Sequence, residues 1–433
     1  MSATPSRSYY LWNIGCQMNK ADAWRLADAL HQRGYRQIRA PDQAELMILN
    51  TCVVRQSAED KVLGRLLSLK PYASEKGRDL LVMGCFVDDP QALRERYPFV
   101  AGFFAPSDLD GVLRHVDRRG NAQPSNTAES FSGRVAEMVP LSYGCDHHCT
   151  YCLVQLRRGA QRSRSIAEIR ADCADLVARG AREITLLGQN VDAYGQDLPD
   201  ATDLADVLEA VHEIPELVRI RFLTSHPRDL SLRLIETAAR LPKVCESWEL
   251  PVQSGDDLVL KRMGRGYTAE HYRELVEAIR TAMPQAAINT DMIVGFPGET
   301  LEQYERSLAM VRDLRFNAVH IAPYSERPGT AATVWEDDIS SVEKELRYSE
   351  MDQLQTAIAT ERSAAFVDQE VEVLAETRQK GRWRGRTRGN QIVFFESREH
   401  CLGKLVRLRI TWAGPWSMVG EFAGLIDSPS SAP

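Results

Sequence analysis

Between Arg134 and Ala332 the chain repeats one unit, a short apolar run of strand type followed by a segment of helical period. The runs are VAEMVPLSY, EITLLGQ, RIRFLTS, SWELPVQ, AINTDMIVGF and AVHIAPYS, separated by segments such as SIAEIRADCADLVARG and AEHYRELVEAIRTAM. Apolar runs of this length, alternating with helices, are the pattern of a parallel sheet covered by helices. Six such units predict a partial (β/α)₆ barrel, whose chemistry sits at the strand C-termini as in complete barrels. The strings after each strand therefore carry the weight: GCDHHCTYC after the first, GQN after the second, TSHP, QSG and GFPGE after the next three.

GCDHHCTYC places Cys145, Cys149 and Cys152 in CxxxCxxC spacing. Three thiolates in one short loop suit three irons of a [4Fe–4S] cluster, leaving the fourth iron open to a small molecule. A structural zinc site is the competing reading, but zinc recruits a fourth Cys or His at short spacing. His147 and His148 lie crowded between the ligands and make poor fourth donors. The loop resembles that of the radical S-adenosylmethionine enzymes. That resemblance implies that S-adenosylmethionine binds the open iron and is cleaved to a 5′-deoxyadenosyl radical, with the protein orienting and shielding it.

Residues 8–118 read as a second α/β region, of the doubly wound kind. Its strands YYLWNI, ELMILN and DLLVMG are each followed at once by a cysteine, in the pairs Gly15-Cys16, Thr51-Cys52 and Gly84-Cys85. All strand C-termini of a parallel sheet open on one edge, where ligands bind, so three cysteines far apart in sequence converge there. A lone buried Cys is an ordinary small hydrophobe, but three in this register predict a second three-cysteine cluster site. Cys173, Cys245 and Cys401 lack ligand spacing and read as buried hydrophobes.

Residues 120–133, GNAQPSNTAESFSG, are polar and aperiodic and read as a linker. The expected boundaries are 1–119 for the first cluster domain, 134–364 for the radical domain, 365–428 for a small all-β barrel and 429–433 for a tail. The barrel is read from alternating strands with Gly turns, preceded by a long polar helix over 340–364. Between Glu376 and Arg409 ten basic residues face three acidic ones, within a chain of net charge −7. Interleaved with Trp383, Phe394 and Phe395, they suggest an RNA-binding surface centred on Arg382, Arg384, Arg386 and Arg388. No apolar run approaches the ~20 residues of a membrane span, and nine cysteines without a secretory leader suggest metal ligation in a reducing cytoplasm.

Several strings together resemble the methylthiotransferase family over nearly the whole chain: GCQMN, NTCVVRQSAEDKVLGRL, RRGAQRSR, LLGQNVDAYG, TSHP, LPVQSG, RGYT, TDMIVGFPGET, YSERPGT and GRTRGN. GCQMN and LLGQNVDAYG are similar to the branch acting on N6-isopentenyladenosine next to the tRNA anticodon. The resemblance implies two [4Fe–4S] clusters, one on Cys145, Cys149 and Cys152 and an auxiliary, sulfur-carrying one on Cys16, Cys52 and Cys85, with a TRAM-like RNA-binding domain at the C-terminus. It also implies S-adenosylmethionine as both radical source and methyl donor, contacted by Gln189, Asn190, Gln253, Ser254 and Asp291. Implied partners are the tRNA and an electron donor such as flavodoxin or ferredoxin, serving a cytoplasmic monomer. One departure stands out: the acidic pair usual after the radical loop is replaced by Ala160 and Gln161, with Arg162 added, which bears on substrate contacts. Rival readings are methylthiolation of threonylcarbamoyladenosine or of a ribosomal protein, and an RNA-binding protein with structural clusters.

Overall fold

All six residues of Leu46–Thr51 are buried, the environment of a strand covered by helices on both faces. This strand, β3, is central in a five-stranded sheet of β1 (Ser8–Asn13), β2 (Arg36–Gln37), β3, β4 (Asp79–Gly84) and β5 (Gly102–Phe104). The order is β2-β1-β3-β4-β5, every pair is parallel, and the sheet is doubly wound as expected. Alternate residues feed two cores. Leu46, Ile48, Leu81 and Met83 pack with α1 (Gln17–Gln32) and α4 (Leu109–Arg118) on one face. Met47, Leu49, Leu80 and Val82 pack with α2 (Gln56–Ala73) and α3 (Pro90–Arg96) on the other.

This computed structural model describes residues 7–53, 56–75, 77–118 and 134–426; the linker over 120–133 and the tail over 429–433 lie outside the described residues. The chain divides into two compact units. The first holds the sheet above together with Gly144–Asp146 and Cys152–Ala160; the second holds Gly133–Tyr143, His147–Tyr151 and everything from Gln161 onward.

In the second unit the strands run β6 (Ala136–Pro140), β9 (Glu183–Leu187), β10 (Arg219–Phe222), β11 (Ser247–Glu249), β12 (Ala287–Val294) and β13 (Ala318–Pro323). Neighbours are parallel throughout, and a bridge from Ile220 to Val244 joins the two halves. This is the open (β/α)₆ arrangement. A two-residue hairpin, β7 (Ser142–Tyr143) with β8 (Arg162–Ser163), clasps the base of the cysteine-bearing segment, which also contains the short helix α5 (Val154–Arg158). Helices α6 (Ile166–Ala178), α7 (Leu204–His212), α8 (Leu232–Arg240), α9 (Asp257–Arg262), α10 (Ala269–Ala282) and α11 (Leu301–Leu314) follow the strands, and α12 (Ser341–Ala364) leads out of the repeat. The starts are set locally. Ser165 with Glu168 and Thr300 with Gln303 form capping boxes, each satisfying two orphan N–H groups.

Strands β14 (Glu370–Gln379), β15 (Arg382–Arg386), β16 (Ile392–Glu396), β17 (Leu405–Ala413) and β18 (Met418–Leu425) close into a barrel in the order β14-β15-β16-β18-β17. Strand alternation turns Trp383 and Phe395 into its core beside Val393, Val406 and Leu408. They are therefore packing residues, and the large aromatics at the surface are Trp412 and Trp416.

The barrel docks within its unit through buried charge. Arg221 pairs with the fully buried Glu183 at 3.0 Å and donates to the carbonyls of Arg388 (2.6 Å) and Thr387 (2.7 Å). Arg219 donates to the Arg386 carbonyl at 2.6 Å and pairs with Glu372 at 2.8 Å. Arg388 in turn grips Glu246 at 2.8 Å and the carbonyls of Pro242 and Val244, while Arg386 pairs with Glu376. Two of the four arginines expected to meet RNA thus hold the barrel on the N-terminal ends of β9 and β10. Burial opposes ionisation of Glu183, yet the guanidinium groups of Arg221, Arg386 and Arg219 keep its pKa below the ordinary carboxylate value. Replacing Arg221 by Ala removes the largest of the charges that compensate this buried carboxylate, together with two hydrogen bonds to the barrel, a change that costs about 3–5 kcal/mol. Denaturant unfolding should show a loss of that size; a loss under about 1 kcal/mol contradicts the arrangement.

Candidate metal centres

Cys52 and Cys85 stand immediately after β3 and β4, and Cys16 follows β1 after Ile14 and Gly15, on the same edge of the sheet. Two glycines make their approach possible. Gly15 has φ +129°, and a Cβ there would lie 2.5 Å from Cys52 Cβ and 3.2 Å from its Sγ. Gly84 has φ +101°, and a Cβ there would be driven into the Thr51 carbonyl and sit 2.8 Å from Thr51 N. Only glycine combines that backbone with that clearance, which explains why two of the three cysteines follow one. Cys16 is exposed and is the N-cap residue of α1. Cys52 and Cys85 are buried. Burial pushes the Cys85 thiol up to about 11, the Arg158 charge pulls the other way, and the charges of Cys52 and Cys16 add to the rise.

Asn19 brackets this edge. Its amide donates to the carbonyls of Thr51 (2.7 Å) and Ile14 (3.1 Å), and its backbone oxygen accepts from Asn50 (2.7 Å). The carbonyl ends of two cysteine-bearing strands are thereby tied to one side chain. The donor set is three thiols gathered where the backbone has been cleared, and it suits an iron–sulfur cluster with one iron left open.

In the radical loop, Cys145 is buried and Cys149 and Cys152 are partly so. The Cys145 N–H donates to the Gly159 carbonyl at 3.2 Å. Within the second unit, Thr150 is held by the carbonyls of Met263 (2.9 Å) and Arg262 (3.0 Å) and accepts from Ala332 (2.7 Å). The buried Arg265 reaches Cys149 Sγ at 3.5 Å while donating to Tyr267 Oη at 2.9 Å and the Pro251 carbonyl at 2.8 Å. His147 stacks on His226 with centroids 4.2 Å apart and pairs with Asp229 at 2.5 Å. Burial weighs against the Asp229 charge, but hydrogen bonds from His147 and Asn190 hold its pKa below the ordinary value. His226 is kept neutral by burial and by the neighbouring Arg265 and His147 charges.

Sequence comparison decides the family. Residues 139–311 match the Radical SAM superfamily and residues 8–105 match the Uncharacterized protein family UPF0004. The tRNA-2-methylthio-N(6)-dimethylallyladenosine synthase of Roseiflexus sp. (strain RS-1) is 46% identical, over 97% of this chain and 91% of that one. The synthase of the same name from Dehalococcoides mccartyi (strain BAV1) is 44% identical, over 97% and 99%. The chain belongs to the tRNA-2-methylthio-N(6)-dimethylallyladenosine synthase family. Among solved structures, the radical S-adenosylmethionine methyltransferase TsrM from Kitasatospora setae aligns with TM-score 0.52 at 13% identity, over 76% of this chain and 74% of that one. That likeness extends to the fold.

As a member of this synthase family the chain is a radical S-adenosylmethionine transferase that uses [4Fe–4S] clusters. The residues expected to contact S-adenosylmethionine are placed unevenly. Gln189 and Asn190 follow β9, but Asn190 is buried and donates to Asp229 at 2.5 Å. Gln253 has φ +74°, and its N–H donates to the Asp291 carbonyl at 2.9 Å, pairing the segment after β11 with the middle of β12. Ser254 is fully buried, 3.4 Å from the Ser307 hydroxyl and accepting from Asp256 N–H at 3.3 Å, so its side chain serves the protein. Gln161, at the family departure, donates to the Ala193 carbonyl at 2.6 Å and pins the loop after β9. Asn19, Asp229, Arg265 and Arg158 were not read from sequence as site residues. Asn19, Arg265 and Arg158 lie within the strings GCQMN, RGYT and RRGAQRSR, and Asp229 comes two positions after TSHP.

Asp192 supplies a pH test. Burial pushes its carboxyl up to about 7, although the His226 N–H and the Ser225 hydroxyl bond to it. A carboxyl raised on folding contributes stability that is fully present below its unfolded pKa, near ~4, and lost as pH rises through the folded value. Stability should therefore fall between pH ~4 and ~7, with a slope of at most ~1.4 kcal/mol per pH unit from this group. Asp192→Asn, which mimics the protonated acid, should flatten that part of the curve in denaturant titrations. An unchanged slope removes Asp192 as its source.

Proposed function

We propose that this chain transfers a methylthio group to carbon 2 of N6-isopentenyladenosine next to the anticodon of tRNA. The observation that carries the reading is the second cysteine site: Cys16, Cys52 and Cys85 share one sheet edge in addition to the CxxxCxxC loop. A single radical site serves many chemistries, whereas sulfur insertion needs a place to hold sulfur as well. The names of its relatives support the same substrate. A carbon–hydrogen bond on an aromatic ring has no acidic proton, so general-base catalysis cannot open it and radical chemistry can. Bound in the loop, a cluster supplies the reducing electron for S-adenosylmethionine; bound at the sheet edge, a second supplies the anchoring site for methylated sulfur. The protein's part is to present the thiolates, to brace the loop through Arg265, Thr150 and the His147–Asp229 pair, and to exclude water. In this reading Gln189, Gln253 and Asp291 meet S-adenosylmethionine, with Asn190 acting through Asp229.

The C-terminal barrel carries tRNA affinity. Arg382 is exposed and Arg384 partly so, Arg407 and Arg409 point outward from β17, and Trp412 and Trp416 offer exposed rings for stacking. The chain works as a cytoplasmic monomer, reduced by a flavodoxin or ferredoxin. Among the described residues no helix is long and apolar enough to cross a membrane.

Nucleoside analysis of tRNA from a strain lacking the chain tests the substrate. N6-isopentenyladenosine without the methylthio group should accumulate, and the chain supplied in trans should restore it. Loss of the methylthio group from threonylcarbamoyladenosine instead would move the chain to another branch. For the barrel, Arg407→Ala with Arg409→Ala should weaken tRNA binding and flatten its salt dependence, by a slope of ~0.7–0.9 for each phosphate no longer neutralised. An unchanged salt titration places the RNA path elsewhere.

A further inference from the structure

We infer that Arg158 is the positioning residue of the Cys16, Cys52 and Cys85 site, carrying the counter-charge that sets the reduction potential of a cluster bound there. This rests on the reading of those three cysteines as cluster ligands. Arg158 ends α5, whose first residue comes two positions after Cys152. In space its guanidinium belongs to the other set of cysteines. Nη2 donates to Asn19 Oδ1 at 2.7 Å and Nη1 to Ser107 Oγ at 3.0 Å, and its charge acts on the Cys85 and Cys16 thiols. Asn19 is the residue that ties Ile14 and Thr51 together, and its Oδ1 also accepts from Cys16 Sγ at 3.7 Å. One planar fork is thus indexed to the strand ends that carry the cysteines.

Its two hydrogen-bonded anchors are neutral. Asp22, the nearby acid, takes the Ser107 hydroxyl at 2.8 Å, so the guanidinium reaches that carboxylate through Ser107 rather than in a direct ion pair. The positive charge is left facing sulfur. A four-iron cluster on three thiolates is an anion and becomes more so on taking an electron. Net charge and hydrogen bonds to the sulfurs set the potential of such a cluster, and a cation in a partly buried site acts strongly because it is weakly screened. Arg158 therefore favours the reduced form.

The test uses the full chain with Cys145, Cys149 and Cys152 changed to Ala, so that any cluster bound is the second one. The anaerobically reconstituted protein is assayed for iron and sulfide and then titrated with dithionite and mediators, reading the reduced cluster by electron paramagnetic resonance. If this parent binds no iron, the ligand reading itself fails. With four irons bound, Arg158→Gln should lower the reduced-to-oxidised ratio at fixed ambient potential at least about tenfold, ~59 mV for a one-electron couple. Arg158→Lys, which keeps the charge, should hold the ratio within about threefold. Iron bound with a ratio within about twofold of the parent in Arg158→Gln overturns the proposal. Where the Gln variant takes up no iron, the Lys variant decides: an about tenfold fall there, with iron bound, overturns it equally.

Discussion

Replacing Cys145, Cys149 and Cys152 together by Ala is expected to abolish cleavage of S-adenosylmethionine and to halve the iron content. Reconstituted wild-type protein should hold about eight irons per chain, four in each of two clusters, and the triple variant about four. The loss of activity should be complete within detection, because residues acting as one ligand set are not additive. The fold should survive. Thr150 is held through Met263, Arg262 and Ala332, contacts that do not involve the thiols. Iron content that stays near about eight in the triple variant contradicts the assignment of the loop.

The reciprocal replacement separates the two sites. With Cys16, Cys52 and Cys85 changed to Ala, 5′-deoxyadenosine should still be released from S-adenosylmethionine, while methylthiolated product falls to background. Gly84→Ala should reproduce much of this loss without removing a ligand, since a Cβ there collides with the Thr51 backbone and the φ of +101° is unfavourable for alanine. Chromatography of both products from one reaction checks the split. Substantial methylthio transfer by the triple variant would falsify the sulfur-carrier role of that sheet edge.

The parallel strands and the convergence of Cys16, Cys52 and Cys85 were legible in the sequence because both follow from local pattern plus one rule of α/β topology. Buried runs such as Leu46–Thr51 announce a covered strand, and a cysteine after each of three strands must reach the same edge. Cys173, Cys245 and Cys401 read as buried residues and are buried; burial above all pushes the Cys173 thiol up to about 12. What the sequence hid depends on partners far away in the chain. Arg386 and Arg388 look like members of a basic strip until Glu246 and the β9 and β10 strand starts come into contact with them. Trp383 and Phe395 look like stacking rings, but alternation sends them inward. Arg158 sits next to the radical loop in sequence and beside the other cysteines in space, a relation that no spacing rule contains.

The central claim, two cysteine sites cooperating on one base in tRNA, is tested most directly by a reconstituted reaction with defined tRNA. The full chain, S-adenosylmethionine, reductant and sulfide are supplied with tRNA bearing N6-isopentenyladenosine, or with the same tRNA lacking the isopentenyl group, and the digested nucleosides are weighed by mass spectrometry. The account predicts a methylthio addition on carbon 2 of the isopentenylated nucleoside, accompanied by 5′-deoxyadenosine, and no such product from the unmodified tRNA or from either triple-cysteine variant. Methylthiolation of the tRNA lacking the isopentenyl group, or its persistence in the Cys16, Cys52 and Cys85 variant, would contradict it.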